Sequence, residues 1–144
     1  MPQCVFCAIA SGTLGAHLVH EDELTTAFLD THPIRPGHVQ VIPREHHTYF
    51  DDLPPATAAR VLYVGQRVAK ALKHLHGVSQ VAFLFTGSDV AHAHAHLVPM
   101  HEKTDITSRR YIVEEHLTFR STPQAPTEEL SGIAVALRSA LGPI

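Results

Sequence analysis

The stretch from Val90 to Pro99 constrains this chain more than any other: Val-Ala-His-Ala-His-Ala-His-Leu-Val-Pro puts a histidine at every second position of a small, apolar run. Read as a β-strand, the alternation sends His92, His94 and His96 to one face, with ring attachments about 6.6 to 6.8 Å apart. Ala93, Ala95 and Leu97 then form the opposite face, where their size lets another element come close. Three adjacent imidazoles are costly unless used. A neutral imidazole carries one donor and one acceptor and titrates near about pH 6.5, so the row suits nucleophilic attack, proton transfer or metal ligation.

Composition narrows the field. The 144 residues predict one domain, 1–144, large enough to bury its own core. A net charge of -3, with no basic run longer than Arg109-Arg110, argues against a nucleic-acid footprint. No apolar run approaches the roughly 18 residues that span a bilayer, and the opening Met1 to Cys4 lacks a signal peptide's basic and apolar regions. The expectation is a cytoplasmic protein with no membrane partner. In a reducing compartment, Cys4 and Cys7 read as a metal or redox motif rather than a staple.

Taken in order, residues 4–10 predict a short helix ended by Ser11-Gly12, with both cysteines one turn apart on one side. Strands at 17–20 and 24–30 flank the acidic turn Glu21-Asp22-Glu23, and a strand over 38–42, stopped by Pro43, puts His38, Gln40 and Ile42 on one face. From Pro55 to His76 the apolar residues Val61, Val64, Val68, Leu72 and Leu75 recur at helical spacing until Gly77. A strand over 81–85 leads to the histidine stretch. A terminal helix over about 128–141 has Thr127 as its cap candidate, Glu128 and Glu129 in the first turn, and Leu130, Ile133, Leu137 and Leu141 on one face. Short strands and two main helices, out of strict βαβ alternation, predict an α+β domain with an antiparallel sheet.

These residues resemble the histidine triad (HIT) superfamily. His92-Ala-His94-Ala-His96-Leu-Val-Pro99 matches its His-x-His-x-His pattern, and Cys4-Val-Phe-Cys7, Glu21-Asp22, Ala27-Phe-Leu-Asp30, Pro36-Gly-His38 and Val41-Ile-Pro-Arg-Glu-His46 follow at the spacing of small bacterial members. The match covers roughly residues 4–100. The resemblance implies a five-stranded antiparallel sheet with two main helices, extended by homodimerisation; along the long helix Val61, Gly65, Val68 and Leu72 offer a seam for the dimer, or else a face that packs only on its own sheet. It implies cleavage of nucleoside phosphoramidates or related conjugates at the α-phosphorus, with His94 as the nucleophile that carries the nucleotide. His92, His96 and His38 complete the catalytic set, and Asp30 matches the carboxylate that binds ribose. The purine nucleotide would contact Phe28, Leu29 and Asp30 on one side and Gly87, Ser88, Asp89 and Val90 on the other.

Two features depart from the pattern. Many members carry Gly-Gln-Ser or Gly-Gln-Thr before the triad, where this chain has Gly87-Ser88-Asp89, so a carboxylate stands in place of a hydroxyl. Near phosphate it would repel unless it orients a histidine. The usual asparagine-rich loop is replaced by Val81-Ala-Phe-Leu-Phe-Thr86.

The Cys-x-x-Cys pair with distant histidines suits tetrahedral zinc, and similar bacterial members imply Cys4, Cys7, His46 and His92 as the ligands of a structural ion. His47 competes with His46. Other functions compatible with the residues are dinucleoside polyphosphate hydrolysis, a nucleotide-binding regulatory dimer with little turnover, and a triad that holds a catalytic metal.

Overall fold

The computed structural model describes residues 4–108, 110, 112–114, 116, 118 and 120–144. Helix α1 (Val5–Ala10) precedes the hairpin β1 (Leu18–Glu21) and β2 (Thr25–Leu29), then β3 (Val39–Pro43), helix α2 (Pro55–His76), β4 (Gln80–Phe85), β5 (Ala95–Met100) and helix α3 (Thr127–Leu141). All strand pairs are antiparallel, in the order β1-β2-β3-β5-β4. The expected α+β class and five-stranded sheet are present.

The β1–β2 turn is fixed by Asp22, whose Oδ1 accepts the amides of Leu24 at 2.9 Å and Thr25 at 2.8 Å. Its Oδ2 accepts Arg60 Nε at 2.8 Å, which ties the hairpin to α2. Helix α2 starts at Pro55, where a missing amide costs nothing, and ends at Gly77, whose φ of 64° is the left-handed conformation that glycine adopts without strain. Helix α3 begins one residue before the expected boundary: Pro126 occupies the capping position, and Thr127 is inside the helix rather than its cap.

Both helices cover one face of the sheet. Val61, Val64, Val68 and Leu72 of α2, with Leu130, Leu137 and Leu141 of α3, pack on Ala27, Leu29, Val39, Val41, Ala95 and Leu97. This corrects the expected dimer seam, because Val61, Val68 and Leu72 are at most 1% exposed within a single chain. Gly65 does permit a close approach, but to Phe83 of its own β4: an added Cβ would lie 2.6 Å from that ring.

The opposite face carries the site. Short α1 lies there, with Phe6, Ile9 and Ala10 against Phe28 and Ile42. Strand registers align Leu18, Phe28, Gln40, His96 and Leu84 in one row across all five strands.

The histidine stretch is a strand only from Ala95 onward, which corrects the expected strand over 90–99. Ladder pairing ends at Val41↔Ala95 on one side and Phe85↔Ala95 on the other. Upstream of Ala95 the backbone bonds locally: the Ala93 amide donates to His47 O at 2.7 Å and the His92 amide to Val90 O at 2.9 Å.

Candidate active site

All three triad rings still gather on the α1 side. Phe6 sits edge-on to His94 with centroids 5.1 Å apart, and to His92 at 5.9 Å, while the His94 and His96 rings are 4.9 Å apart. His94 Nδ1 lies 2.7 Å from the carbonyl oxygen of His92. A carbonyl can only accept, so Nδ1 carries the hydrogen and Nε2 keeps its lone pair. That is the tautomer a nucleophile needs.

A second hydrogen-bond chain fixes His96. The Ile34 amide donates to His38 Nδ1 at 3.2 Å, so the His38 hydrogen sits on Nε2, which faces His96 Nδ1 at 2.9 Å. His96 is therefore a donor through Nε2. Burial lowers the basicity of His38 against the pull of Asp30. Burial, reinforced by His38 and His94 and opposed by Asp30 and Asp89, pushes His96 down to about 4. Both rings are neutral at pH 7.

Asp30, at the end of β2, is held by the His32 amide on Oδ1 at 2.8 Å and by Gln40 Nε2 on Oδ2 at 2.7 Å. Gln40 Oε1 is buried and has no partner among the described residues. Asp30 joins two hollows. One, about 280 Å3, runs between α1 and β2 and is lined by Phe6, Ile9, Phe28, Leu29, Asp30 and Gln40. The other, about 340 Å3, is lined by Asp30, His38, Thr86, Ser88, Asp89 and His96. Leu29 borders the first but is only 1% exposed and belongs to the helix-side core, whereas Val90 packs on the α1 cluster. Gly87 lines a third, smaller hollow with His94, Tyr49 and Phe50. A further hollow, about 660 Å3, lies between α2 and α3 on the helix side, is lined by Arg67, Lys70, His74 and Ser139 among others, and contains no triad residue.

The expected metal ligands also converge. His92 Nδ1 is 3.4 Å from Cys4 Sγ and 3.5 Å from Cys7 Sγ, and His46 Nδ1 is 3.3 Å from Cys7 Sγ. Ligands at about 2.3 Å for sulfur and about 2.1 Å for nitrogen around a tetrahedral ion stand roughly 3.5 Å apart, so this donor set fits zinc. His92 Nε2 donates to Pro43 O at 2.9 Å, which directs Nδ1 toward the thiols. Burial and the neighbouring Cys4 raise the Cys7 thiol, so a cation is what would make the pair thiolate. His47 lies outside the cluster and offers its carbonyl to Ala93 instead. Asp30, His38 and His96 form another cluster of possible ligands, but the 2.9 Å between the two histidine nitrogens is a hydrogen bond with the proton between them.

A family model described as HIT domain matches residues 12–103. The chain belongs to the histidine triad (HIT) family. Its relatives include the uncharacterized HIT-like protein MJ0866 of Methanocaldococcus jannaschii, 32% identical over 69% of this chain and 80% of that protein. Adenosine 5'-monophosphoramidase HNT1 of Saccharomyces cerevisiae is 30% identical over 69% of this chain and 64% of that one. Among solved structures, a zinc-bound histidine triad family protein from Mycobacterium smegmatis superposes with a TM-score of 0.74 at 33% identity, covering 96% of this HIT chain and 93% of its own.

Sequence reasoning left Phe6, Ile9, Tyr49 and Phe50 without roles. Phe6 lies inside the Cys4-to-Cys7 motif, and Gln40 was on the His38 face, so both had a signal. Tyr49 and Phe50 had none, because only the turn at Phe50–Asp52 brings them to His94.

Proposed function

We propose that this HIT protein hydrolyses nucleoside phosphoramidates or closely related nucleotide conjugates through a nucleotidyl group carried on His94. The observation that carries this reading is the 2.7 Å bond from His94 Nδ1 to the His92 carbonyl, which leaves Nε2 as the free nucleophile in a buried site. The hollow between α1 and β2 offers Phe6 and Phe28 to a purine, with Asp30 as the acceptor for ribose hydroxyls.

His94 Nε2 attacks the α-phosphorus and a nitrogen–phosphorus bond forms. The bond to the leaving amine breaks, its electron pair goes to that nitrogen, and the amine departs after taking a proton from solvent water. The His94 ring, now cationic, keeps its Nδ1 hydrogen on the His92 carbonyl, which stabilises the charge. His96 donates through Nε2 to a phosphate oxygen. Water then attacks phosphorus and gives up a proton to solvent, the bond to His94 breaks with its electron pair returning to Nε2, and the nucleoside monophosphate is released.

Zinc on Cys4, Cys7, His46 and His92 has a structural part in this reading, pinning α1 and so the purine wall. We also place a homodimer contact on β4, an edge strand with Phe83 38% exposed, beside Leu62 and Tyr63 of α2 at 50% and 41%.

Incubation with adenosine phosphoramidate should yield the monophosphate and, by intact mass after a rapid acid quench, a nucleotidyl adduct absent from His94→Ala. Turnover restricted to dinucleoside polyphosphates would move the assignment to the second reaction class.

A further inference from the structure

The helix side of the sheet carries a hollow that the hydrolase reading does not use. It lies between α2 and α3, about 660 Å3 in volume, on the face opposite to Phe6 and His94. We propose that this hollow is a second ligand site, one that takes a small phosphomonoester with an apolar body.

Charge is the first argument. Arg67, Lys70 and His74 line the hollow from α2 and Ser139 from α3, and no Asp or Glu lines it among the described residues. Helix α2 carries Arg60, Arg67, Lys70 and Lys73 without an acidic residue, in a chain whose net charge is -3. Like charges three positions apart weaken a helix, so Arg67 beside Lys70 has a cost. The helix dipole favours cations in the last turn, which accounts for Lys73, His74 and His76 but not for Arg67 and Lys70. Neither of those two meets a carboxylate at ion-pair distance among the described residues.

Geometry is the second. Arg67 Nη2 donates to Leu141 O at 2.8 Å, which fixes the guanidinium at the end of α3 and offsets the negative pole of that helix. A guanidinium has several N–H donors, so the others can face an anion. The Lys70 ammonium, the His74 ring and the Ser139 hydroxyl border the same space. Together these donors suit a dianion with three free oxygens better than a single carboxylate, which Arg67 alone would satisfy. Lys70, His74 and Ser139 are exposed, so a ligand reaches them from solvent.

The apolar body follows from the rest of the wall. Ala71 and Leu75 of α2 line the hollow together with Ala136 and Ala140 of α3. Leu75 is 38% exposed, so an apolar group seated there would cover surface that the core leaves open. The volume is in the range of small-molecule sites, about 300 to 1,000 Å3. The subunit contact placed on β4 belongs to the other flank of α2: Phe83 of β4 meets the helix at Gly65, whereas α3 lies over β1 and β2.

The test is amide-resolved NMR on the purified full chain, titrated with 1-naphthyl phosphate in the presence of excess adenosine monophosphate. Inorganic phosphate and 1-naphthol serve as the head and the body alone. The expected shifts fall on residues 67–75 and 136–141, with a dissociation constant below about 1 mM. Phosphate and naphthol each bind at least about tenfold more weakly. Lys70→Glu weakens binding of the naphthyl phosphate by about tenfold or more and His74→Gln by less. Lys73→Glu, on the same helix but outside the hollow, changes it by less than about twofold. Equal losses in Lys70→Glu and Lys73→Glu would reduce the effect to general attraction by a cationic helix and overturn the inference. So would shifts confined to the surroundings of His94, naphthol binding as tightly as its phosphate, or no saturation by about 10 mM.

Discussion

His92 presents its ring Nδ1 to Cys4 Sγ at 3.4 Å and its carbonyl to His94 Nδ1 at 2.7 Å, so one residue joins the cysteine–histidine cluster to the middle histidine of the triad. Two centres that the sequence separates into a Cys-x-x-Cys pair and a histidine row are one connected unit.

Replacing His94 with Asn should lower turnover by at least about a thousandfold, because the nucleophile is lost and its partners cannot substitute for it. Binding of adenosine monophosphate should persist, since Phe6, Phe28 and Asp30 are untouched. Steady-state rates paired with calorimetric titration would check this, and normal turnover would remove His94 from the mechanism.

Protein purified without added metal should contain close to one zinc per chain by elemental analysis. Cys4→Ser or exhaustive chelation should lower the melting temperature by an amount equivalent to several kcal/mol. Because His92 links the two centres, the same treatment should also reduce turnover, though by less than loss of His94.

Acid should destabilise the fold through His96. Its folded pKa of about 4 lies below the unfolded value of about 6.5, so between those limits the unfolded chain binds protons that the native one does not. The contribution is whole above about pH 6.5 and is lost as pH falls toward about 4. Melting temperature measured across that window should fall less steeply for His96→Asn than for the wild type; parallel slopes would count against a buried neutral His96.

Asp89 shares its hollow with His96, Ser88 and Asp30. Exchanging its carboxylate for the family's hydroxyl, Asp89→Ser, should tighten binding of adenosine monophosphate by about fivefold at low salt, and by less at high salt. Weaker binding in the variant would assign Asp89 to holding the histidines in place.

The long helix was legible to its end residues, since the apolar period, Pro55 and Gly77 all agree. The extent of the triad strand was not: alternation runs through His92 and His94, but a ladder needs partners, and β3 and β4 give none beyond Ala95. The apolar stripe of α2 misled for a related reason, because Val61, Val68 and Leu72 look the same in sequence whether they meet their own sheet or another chain. The cysteines, His38, Asp30 and the triad could be read because short motifs fix them. Tyr49 and Phe50, by contrast, reach His94 through tertiary approach alone.

The contact between Cys4 and His92 joins residues 88 positions apart. During synthesis the segment bearing Phe6 and Ile9 precedes the group it fastens to, which arrives only with the approach to β5. Closing so long a loop carries a large entropic cost that local helix formation over six residues cannot offset. The α1 wall of the hollow is thus made before the histidine row and set only after it, so the hollow takes its final shape once the approach to β5 has been added.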